Sequence, residues 1–185
     1  MSVMLVDNML TREELDALPD DRLRHELIDG AFVMTPAPGV GHQRMLVELL
    51  LVLRPACRGT DLEVLMAPLD VVLGSSVVEP DLLVAPAAAF TDRDLPTAPL
   101  LVVEICSPST SWIDQGRKRS LYEEHGVAHY WLADPHEPSL TILDLIDGEY
   151  VETAHAVGDE SISLTAPFTI TLNPAVLAGA GSPAR

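Results

Sequence analysis

Leu100-Leu-Val-Val-Glu-Ile-Cys106 is the most informative segment for the fold, because all of its side chains except one are apolar. A run this apolar is typical of a central strand that is covered on both faces. Glu104 interrupts the run, and a carboxylate in a buried strand must be paired, hydrogen-bonded, protonated or bound to a metal. The stretch therefore predicts the middle of a sheet and a candidate functional residue.

The segments on either side predict an α/β domain, an α+β arrangement with one mixed sheet and two main helices. Asp29-Gly30 between two short apolar runs predicts a hairpin over residues 25–34. Helices are expected in a short segment from Thr11 and over 43–57 and 113–125. Further strands are expected over 63–73, 76–84, 129–133, 140–146 and 149–153.

Length and composition indicate one globular domain. The chain has 185 residues, of which 48% are hydrophobic. We expect a domain over 11–173, an N-terminal tail over 1–10 and a disordered tail over 174–185. No stretch has the roughly 18 apolar residues of a membrane span, and residues 1–10 lack the basic residue of a secretory signal. A cytoplasmic protein without a membrane partner is therefore expected.

The charge of the chain is strongly acidic, with 11 basic against 28 acidic residues and a net charge of -17. Nucleic-acid binding draws most of its affinity from basic side chains on phosphates, so this balance opposes DNA or RNA as a partner. Ten of the basic residues are arginines, and Lys118 is the one lysine. A lysine that stands alone is a candidate for a specific role.

Asp81 is a second acid in an apolar setting, since residues 77–84 are apolar apart from Glu79, Pro80 and Asp81. Strand alternation would place Asp81 on one face with Val77 and Glu79. If its strand pairs with that of Glu104, the two carboxylates converge. Two hard oxygen donors of this kind suit Mg²⁺ or Mn²⁺.

Lys118 shares a helix face with positions 114, 121, 122 and 125, which include the apolar pair Leu121 and Tyr122. This face should pack over the strand that ends at Cys106. An ammonium beside two carboxylates and a metal can orient a water molecule or stabilise charge on a phosphoryl group.

Structural explanations remain open for each of these residues alone. Asp81 and Glu104 could be satisfied by backbone groups or by arginine. Lys118 could form a surface salt bridge with Asp114. Two strand acids followed by a lysine on the matching helix face are harder to explain as coincidence.

Five motifs follow one another in the chain: His25-Glu-Leu-Ile-Asp-Gly30, Gly41-His-Gln-Arg44, Glu79-Pro-Asp-Leu82, Val103-Glu-Ile-Cys-Ser-Pro-Ser-Thr110 and Tyr122…Gly126-Val127…Tyr130-Trp131. In this order they resemble the Uma-two family of restriction endonucleases in the PD-(D/E)XK nuclease superfamily. The resemblance extends over about residues 15–172. It implies a restriction-endonuclease-like core with flanking hairpins, and a divalent metal at the acids.

The resemblance also implies roles for single residues. Pro80-Asp81 matches the first acidic element and Glu104 matches the second, whereas Cys106 stands where the superfamily usually has its lysine. In this family the lysine has moved to the following helix, which corresponds to Lys118. The residues alone and the resemblance therefore select the same lysine.

Glu26 and His42 match further family positions. Glu26 could give the metal a third oxygen, although an exposed strand residue is slightly favoured. His42, beside Gly39 and Gly41 at a helix start, could help to receive a phosphate, although a capping or surface histidine is favoured. Asp70 is a candidate acid of lower rank.

These observations predict a Mg²⁺- or Mn²⁺-dependent endonuclease that acts on DNA, against its acidic charge. Asp81 and Glu104 would bind the metal, Lys118 would orient water, and Glu26 and His42 would assist. The alternatives are a catalytically silent binding module or a hydrolase of a small phosphorylated substrate. A homodimer is expected, because duplex cleavage needs two sites.

Overall fold

A six-stranded and a five-stranded β-sheet form the frame of the protein, in a computed structural model that describes residues 9–19, 23–106 and 114–179. The strands within these residues are β1 (Arg24–Ile28), β2 (Ala31–Thr35), β3 (Leu62–Met66), β4 (Asp70–Leu73), β5 (Ser76–Val78), β6 (Leu82–Pro86), β7 (Asp94–Leu95), β8 (Leu101–Ile105), β9 (His129–Asp134), β10 (Ser139–Ile146), β11 (Glu149–Val157), β12 (Ile162–Leu164) and β13 (Ile170–Leu172). The predicted α/β class is confirmed.

The helices are α1 (Arg12–Asp16), α2 (Val40–Ala56), α3 (Arg119–Glu124) and α4 (Pro174–Leu177). A π-helical turn, Asp114–Lys118, leads directly into α3, and a 3₁₀ turn covers Ala87–Ala89. The α2 helix starts three residues earlier than predicted and continues through Pro55. The first residue of the predicted helix over 113–125 lies outside the described residues.

The strand order places β8 inside the larger sheet, β11-β10-β9-β8-β6-β3, as its apolar sequence predicts. It pairs with β9 in parallel and with β6 in antiparallel orientation, and all of its residues are buried. The smaller sheet has the order β2-β1-β5-β4-β7, and β12 and β13 form a separate two-stranded ribbon.

The prediction of a single sheet is wrong, because two predicted strands each divide into two. Segment 63–73 forms β3 and β4, and segment 76–84 forms β5 and β6, with the members of each pair in different sheets. Pro68 and Pro80 stand at the two breaks, and proline cannot donate a hydrogen bond to a strand partner. The chain crosses between the sheets at both points, and Asp81 lies at the second crossing.

Local signals at the N-terminal side predicted the structure well. Asp29 and Gly30 take left-handed φ angles of 51° and 72°, as a tight two-residue hairpin between β1 and β2 requires. Thr11 and Glu14 form the capping box that starts α1. Leu10, the last residue of the predicted tail over 1–10, donates its backbone N–H to the carbonyl of Gly30, and residues 1–8 lie outside the described part.

The predicted disordered tail over 174–185 includes residues 174–177, which form α4 in the structure. The Asn173 side chain caps this helix, and Leu177 is buried in the main core. Pro174 suits a first helical turn, where no N–H partner is needed. Residues 180–185 lie outside the described residues.

Both faces of the six-stranded sheet are covered by apolar packing. One face meets α2 and α4, and the other meets α3 and the five-stranded sheet. Side chains of β8 alternate between them: Val103 packs on the first face and Val102 on the second. Glu104 shares the face of Val102, so it points toward α3 and the smaller sheet.

Candidate active site

Asp81 and Glu104 converge because β6 and β8 pair in antiparallel register, with Leu82 opposite Val103. Continuing this register by one position brings Asp81 beside Glu104. The Asp81 Oδ2 atom accepts a hydrogen bond of 2.8 Å from the backbone N–H of Ile105. Both carboxylates are buried, and one of the structural explanations holds in part, since a backbone group does satisfy Asp81.

Lys118 brings its charge to the same place from the turn that precedes α3. Its Nζ lies 3.0 Å from Oε1 of Glu104 and 2.9 Å from Oε1 of Glu26. The side chain is only 3% exposed, so the alternative of a surface salt bridge is wrong. The side chain of Asp114, its proposed surface partner, lies outside the described part of the structure.

Glu26 is a buried residue of β1, so its interpretation as an exposed strand residue is wrong. Strand β1 lies between β2 and β5, and it is buried on both faces, with Leu27 on one and Ile28 on the other. The Oε1 atom of Glu26 accepts a hydrogen bond of 2.8 Å from the backbone N–H of Glu79 as well as the contact from Lys118. Glu26 thereby ties the lysine to the crossing segment that carries Asp81.

His42 lies in the first turn of α2 with its ring directed into the site. Its Nε2 is 3.0 Å from Oδ2 of Asp81, and the side chain is largely buried. The interpretation as a surface or capping histidine is therefore wrong. Its Nδ1 atom is buried and has no hydrogen-bond partner among the described residues.

Arg24 and Tyr122 also belong to the site, and sequence reasoning missed both roles. Arg24 Nη2 donates to Asp81 Oδ1 at 2.9 Å, and Tyr122 donates its hydroxyl hydrogen to Glu104 Oε1 at 2.8 Å. Residue spacing could have indicated both roles. Arg24 is two residues from Glu26 and so shares its strand face, and Tyr122 is four residues from Lys118 and so shares its helix face.

The surroundings fix the ionisation of the site. Burial alone would raise the pKa of Asp81, but the His42 hydrogen bond, the charges of Arg24 and His42 and the Ile105 N–H together lower it to about 2. Burial and the neighbouring Glu104 raise the pKa of the Tyr122 hydroxyl well above its ordinary value. Although burial opposes it, the nearby carboxylates raise the pKa of Arg24. At neutral pH the site therefore contains an ionised Asp81, a charged Arg24 and a neutral Tyr122.

A cavity of about 220 Å³ opens onto these groups. Arg24, Glu26, His42, Asp81, Glu104, Cys106 and Lys118 line it, together with the loop and first helical turn over 35–41. Asp70 is not part of this lining and instead bonds Arg12, at 3.3 Å. Within the described part of the chain, no three His, Cys, Asp or Glu side chains are already spaced as ligands of one metal ion.

Family comparison matches residues 12–176 to the Uma2 family, described as "Putative restriction endonuclease". The chain belongs to the Uma2 family. This membership covers nearly all of the described residues and confirms the resemblance drawn from the five motifs. Membership of this family indicates that the protein is a nuclease.

A solved structure supports the fold of this Uma2 protein. The crystal structure of a "putative nuclease belonging to DUF820" from Anabaena variabilis ATCC 29413 superposes with a TM-score of 0.72 at 20% sequence identity, covering 92% of this chain and 98% of that one. At this identity the likeness establishes the restriction-endonuclease-like fold alone. No protein with curated annotation matches the chain. In residues 9–19, 23–106 and 114–179 no helix has the length and apolarity needed to cross a bilayer.

Proposed function

We propose that this Uma2 protein is a metal-dependent endonuclease that hydrolyses phosphodiester bonds in DNA at the cavity. The observation that supports this most is the buried ammonium of Lys118 between Glu26 and Glu104, next to the ionised Asp81. Burying charged groups costs more free energy than a surface ion pair recovers, so a cluster of this kind around a cavity is typical of a catalytic site.

The donor groups fit a divalent cation. Asp81 and Glu104 are the residues that would hold Mg²⁺ or Mn²⁺, and both offer the hard oxygen atoms that these ions prefer. Mg²⁺ is usually bound by one or two carboxylates, with water and substrate phosphate completing its shell, so a preformed set of three protein ligands is not required. When bound, the ion supplies an activated water and neutralises charge on the phosphate.

The chain's own residues position the reaction. Hydrolysis joins a water oxygen to phosphorus, breaks one P–O ester bond and leaves the departing oxygen protonated. Lys118 is held by Glu26 and Glu104, so its charge is fixed where it can orient the water or offset developing negative charge. Tyr122 fixes the orientation of Glu104, and His42 fixes that of Asp81.

The start of α2 offers a place for the phosphate. Residues 35–41 line the cavity, and no described side chain caps the helix at Gly39. Free backbone N–H groups and the positive end of the helix dipole favour an anion there. This local positive potential supports a phosphodiester substrate despite the net charge of -17.

We also propose a homodimer, because two copies can cut the two strands of a duplex. Light scattering after size exclusion, with and without a DNA duplex, tests this. A mass of one chain under both conditions at assay concentration contradicts it.

Plasmid cleavage with Mg²⁺, with Mn²⁺ and with chelator tests the activity. We expect metal-dependent nicking by the natural protein and a loss of about 100-fold or more in Asp81→Asn and Lys118→Ala. Asp70→Asn is the matched control, since Asp70 also bonds an arginine but lies outside the cavity lining. It should retain activity within about twofold, as substitutions outside a site usually do.

The outcome also separates the substrate classes. Equal activity in Lys118→Ala and the natural protein rejects the role of Lys118. Single-stranded DNA, RNA and bis(p-nitrophenyl) phosphate run in parallel distinguish a DNA enzyme from an RNA or small-ester hydrolase. Absence of Mn²⁺ binding at millimolar concentration, measured by calorimetry, would instead favour a binding module that uses the nuclease fold.

A further inference from the structure

Arg24 is hydrogen-bonded to Asp81, a carboxylate that the proposed metal would bind. It precedes Glu26 by two residues on β1, so both side chains face the cavity. Its Nη2 bonds Asp81 Oδ1 at 2.9 Å, while His42 and the N–H of Ile105 lie at 3.0 and 2.8 Å from the other oxygen. These contacts use three of the roughly four lone-pair positions of the carboxylate, and the remaining one, on Oδ1, lies beside the Arg24 guanidinium, so a divalent cation bound there would meet its positive charge.

Arg24 is the cation of the site with access to solvent. Its side chain is 20% exposed, whereas that of Lys118 is 3% exposed. Arg24 also has a second set of contacts outside Asp81: its Nη1 bonds the carbonyl of Glu79 at 3.1 Å, and its Nε lies 3.9 Å from the Glu79 carboxylate. It can therefore release Asp81 and remain held beside the cavity.

Charge balance indicates why release would accompany metal binding. Asp81 contacts Arg24 and His42, and Arg24 also lies 3.9 Å from the Glu79 carboxylate. A divalent ion on Asp81 would add two positive charges next to the guanidinium. Repulsion between like charges is strong where water is largely excluded.

We propose that Arg24 is the resident counter-ion of Asp81, which it yields to the divalent cation, and that the released guanidinium then binds the phosphate of the substrate. This inference rests on the proposed metal-dependent function and adds a residue to it. A guanidinium offers paired donors that match two phosphate oxygens, so the group that pairs with Asp81 also suits the incoming anion.

Calorimetric titration with MnCl₂ tests the exchange directly, on the natural protein, Arg24→Met and Arg24→Lys. Removal of a competing charged hydrogen bond should tighten Mn²⁺ binding to Arg24→Met by about tenfold. Arg24→Lys keeps the charge and should bind Mn²⁺ nearly as the natural protein does. Arg12→Met is the matched control, because Arg12 bonds Asp70 and Asp94 outside the cavity lining, and it should leave the affinity unchanged.

DNA cleavage by the same variants tests the second half of the proposal. Arg24→Met should raise KM for DNA while it binds Mn²⁺ more tightly, a pair of opposite effects that a merely structural arginine would not produce. Unchanged or weaker Mn²⁺ binding by Arg24→Met overturns the proposal, while metal-dependent cleavage by the natural protein still stands. If neither the natural protein nor Arg24→Met binds Mn²⁺, the proposed function fails together with the inference.

Discussion

Two charge clusters in this protein have the same composition and opposite surroundings. The inner cluster lines the cavity and contains Glu26, Asp81, Glu104, Arg24 and Lys118. The outer cluster joins α1 to β4 and β7 and contains Asp16, Asp70, Asp94, Arg12 and Arg93. Each therefore has three carboxylates and two cations, so residue type alone does not distinguish them.

Burial distinguishes the Lys118 ion pairs of the inner cluster from the Arg12–Asp70 pair of the outer cluster. Lys118 and its two partners are almost completely buried, whereas the Arg12 and Asp70 side chains are each 25% exposed. Water and salt weaken exposed ion pairs, while a buried pair is costly to break. The ion pairs of the inner cluster are therefore costly to break, whereas those of the outer cluster stabilise the contact between α1, β4 and β7 only modestly.

Breaking the inner cluster should have the largest effect on stability. Lys118→Met leaves Glu26 and Glu104 buried beside each other without their cation, and it should lower the free energy of unfolding by about 3–5 kcal/mol. Urea denaturation followed by circular dichroism measures this. The double variant Lys118→Met/Glu26→Gln removes one charge of each sign and should recover part of the loss. A loss of under about 1 kcal/mol would place the inner cluster with ordinary surface pairs.

Acidification should change the stability contributions of Asp81 and Asp70 in opposite directions. Because the pKa of Asp81 is lowered to about 2 in the folded protein, its ionised form stabilises the fold at all pH values above its ordinary pKa. Roughly 2 kcal/mol of this stability should disappear as the pH falls from about 4 to 2. Unfolding measured from pH 5 to 2 should show a shallower decline in Asp81→Asn than in the natural protein.

Asp70 gives the contrasting case for the same experiment. Burial is the main cause that raises its pKa, so protonation of Asp70 favours the folded state. Asp70→Asn should therefore lose stability on acidification at least as steeply as the natural protein. A shallower decline in Asp70→Asn would mean that the ionised form of Asp70 stabilises the folded state.

Sequence analysis identified those residues of the inner cluster that are unusual in their local sequence. Glu104 and Asp81 stand out as acids in apolar runs, and Lys118 stands out as the only lysine. Arg24 was not predicted because an arginine at the start of a hairpin strand is ordinary in isolation. Its role depends on β1 facing the crossing segment, and that is a tertiary contact which no local pattern contains.

The division into two sheets was missed for a related reason. Apolar alternation continues across both breaks, so periodicity alone indicates long strands, and the weight of Pro68 and Pro80 was underestimated. The fold class and the β8 strand depend on composition and on a continuous apolar run, which the chain carries locally. The assignment of each strand to one sheet or the other depends on where the chain crosses from the first sheet to the second.

Tyr122 tests how far the inner cluster depends on a neutral donor. Tyr122→Phe removes the hydrogen bond to the buried Glu104 carboxylate and should lower the free energy of unfolding by about 1.5–2 kcal/mol. Tyr150→Phe is the matched control, because the Tyr150 hydroxyl donates to the backbone carbonyl of Val127 at 2.8 Å. That neutral bond should contribute about 1 kcal/mol, and equal losses in the two variants would show that the Glu104 charge adds nothing.

Arg12→Met should have the smallest effect, because the outer cluster is open to water and salt. Arg12 lies 3.3 Å from Asp70 and 2.7 Å from Asp94, yet partly exposed pairs of this kind contribute at most about 1 kcal/mol. That difference should shrink when urea denaturation is repeated in about 1 M NaCl, where screening acts over about 3 Å. The loss in Lys118→Met should persist at the same salt concentration, because salt screens almost completely buried ion pairs much less than exposed ones. Arg12→Met could instead lower the free energy of unfolding as much as Lys118→Met does, and without a dependence on salt. Burial would then not distinguish the two clusters, and the cavity alone would support the inner cluster as the active site.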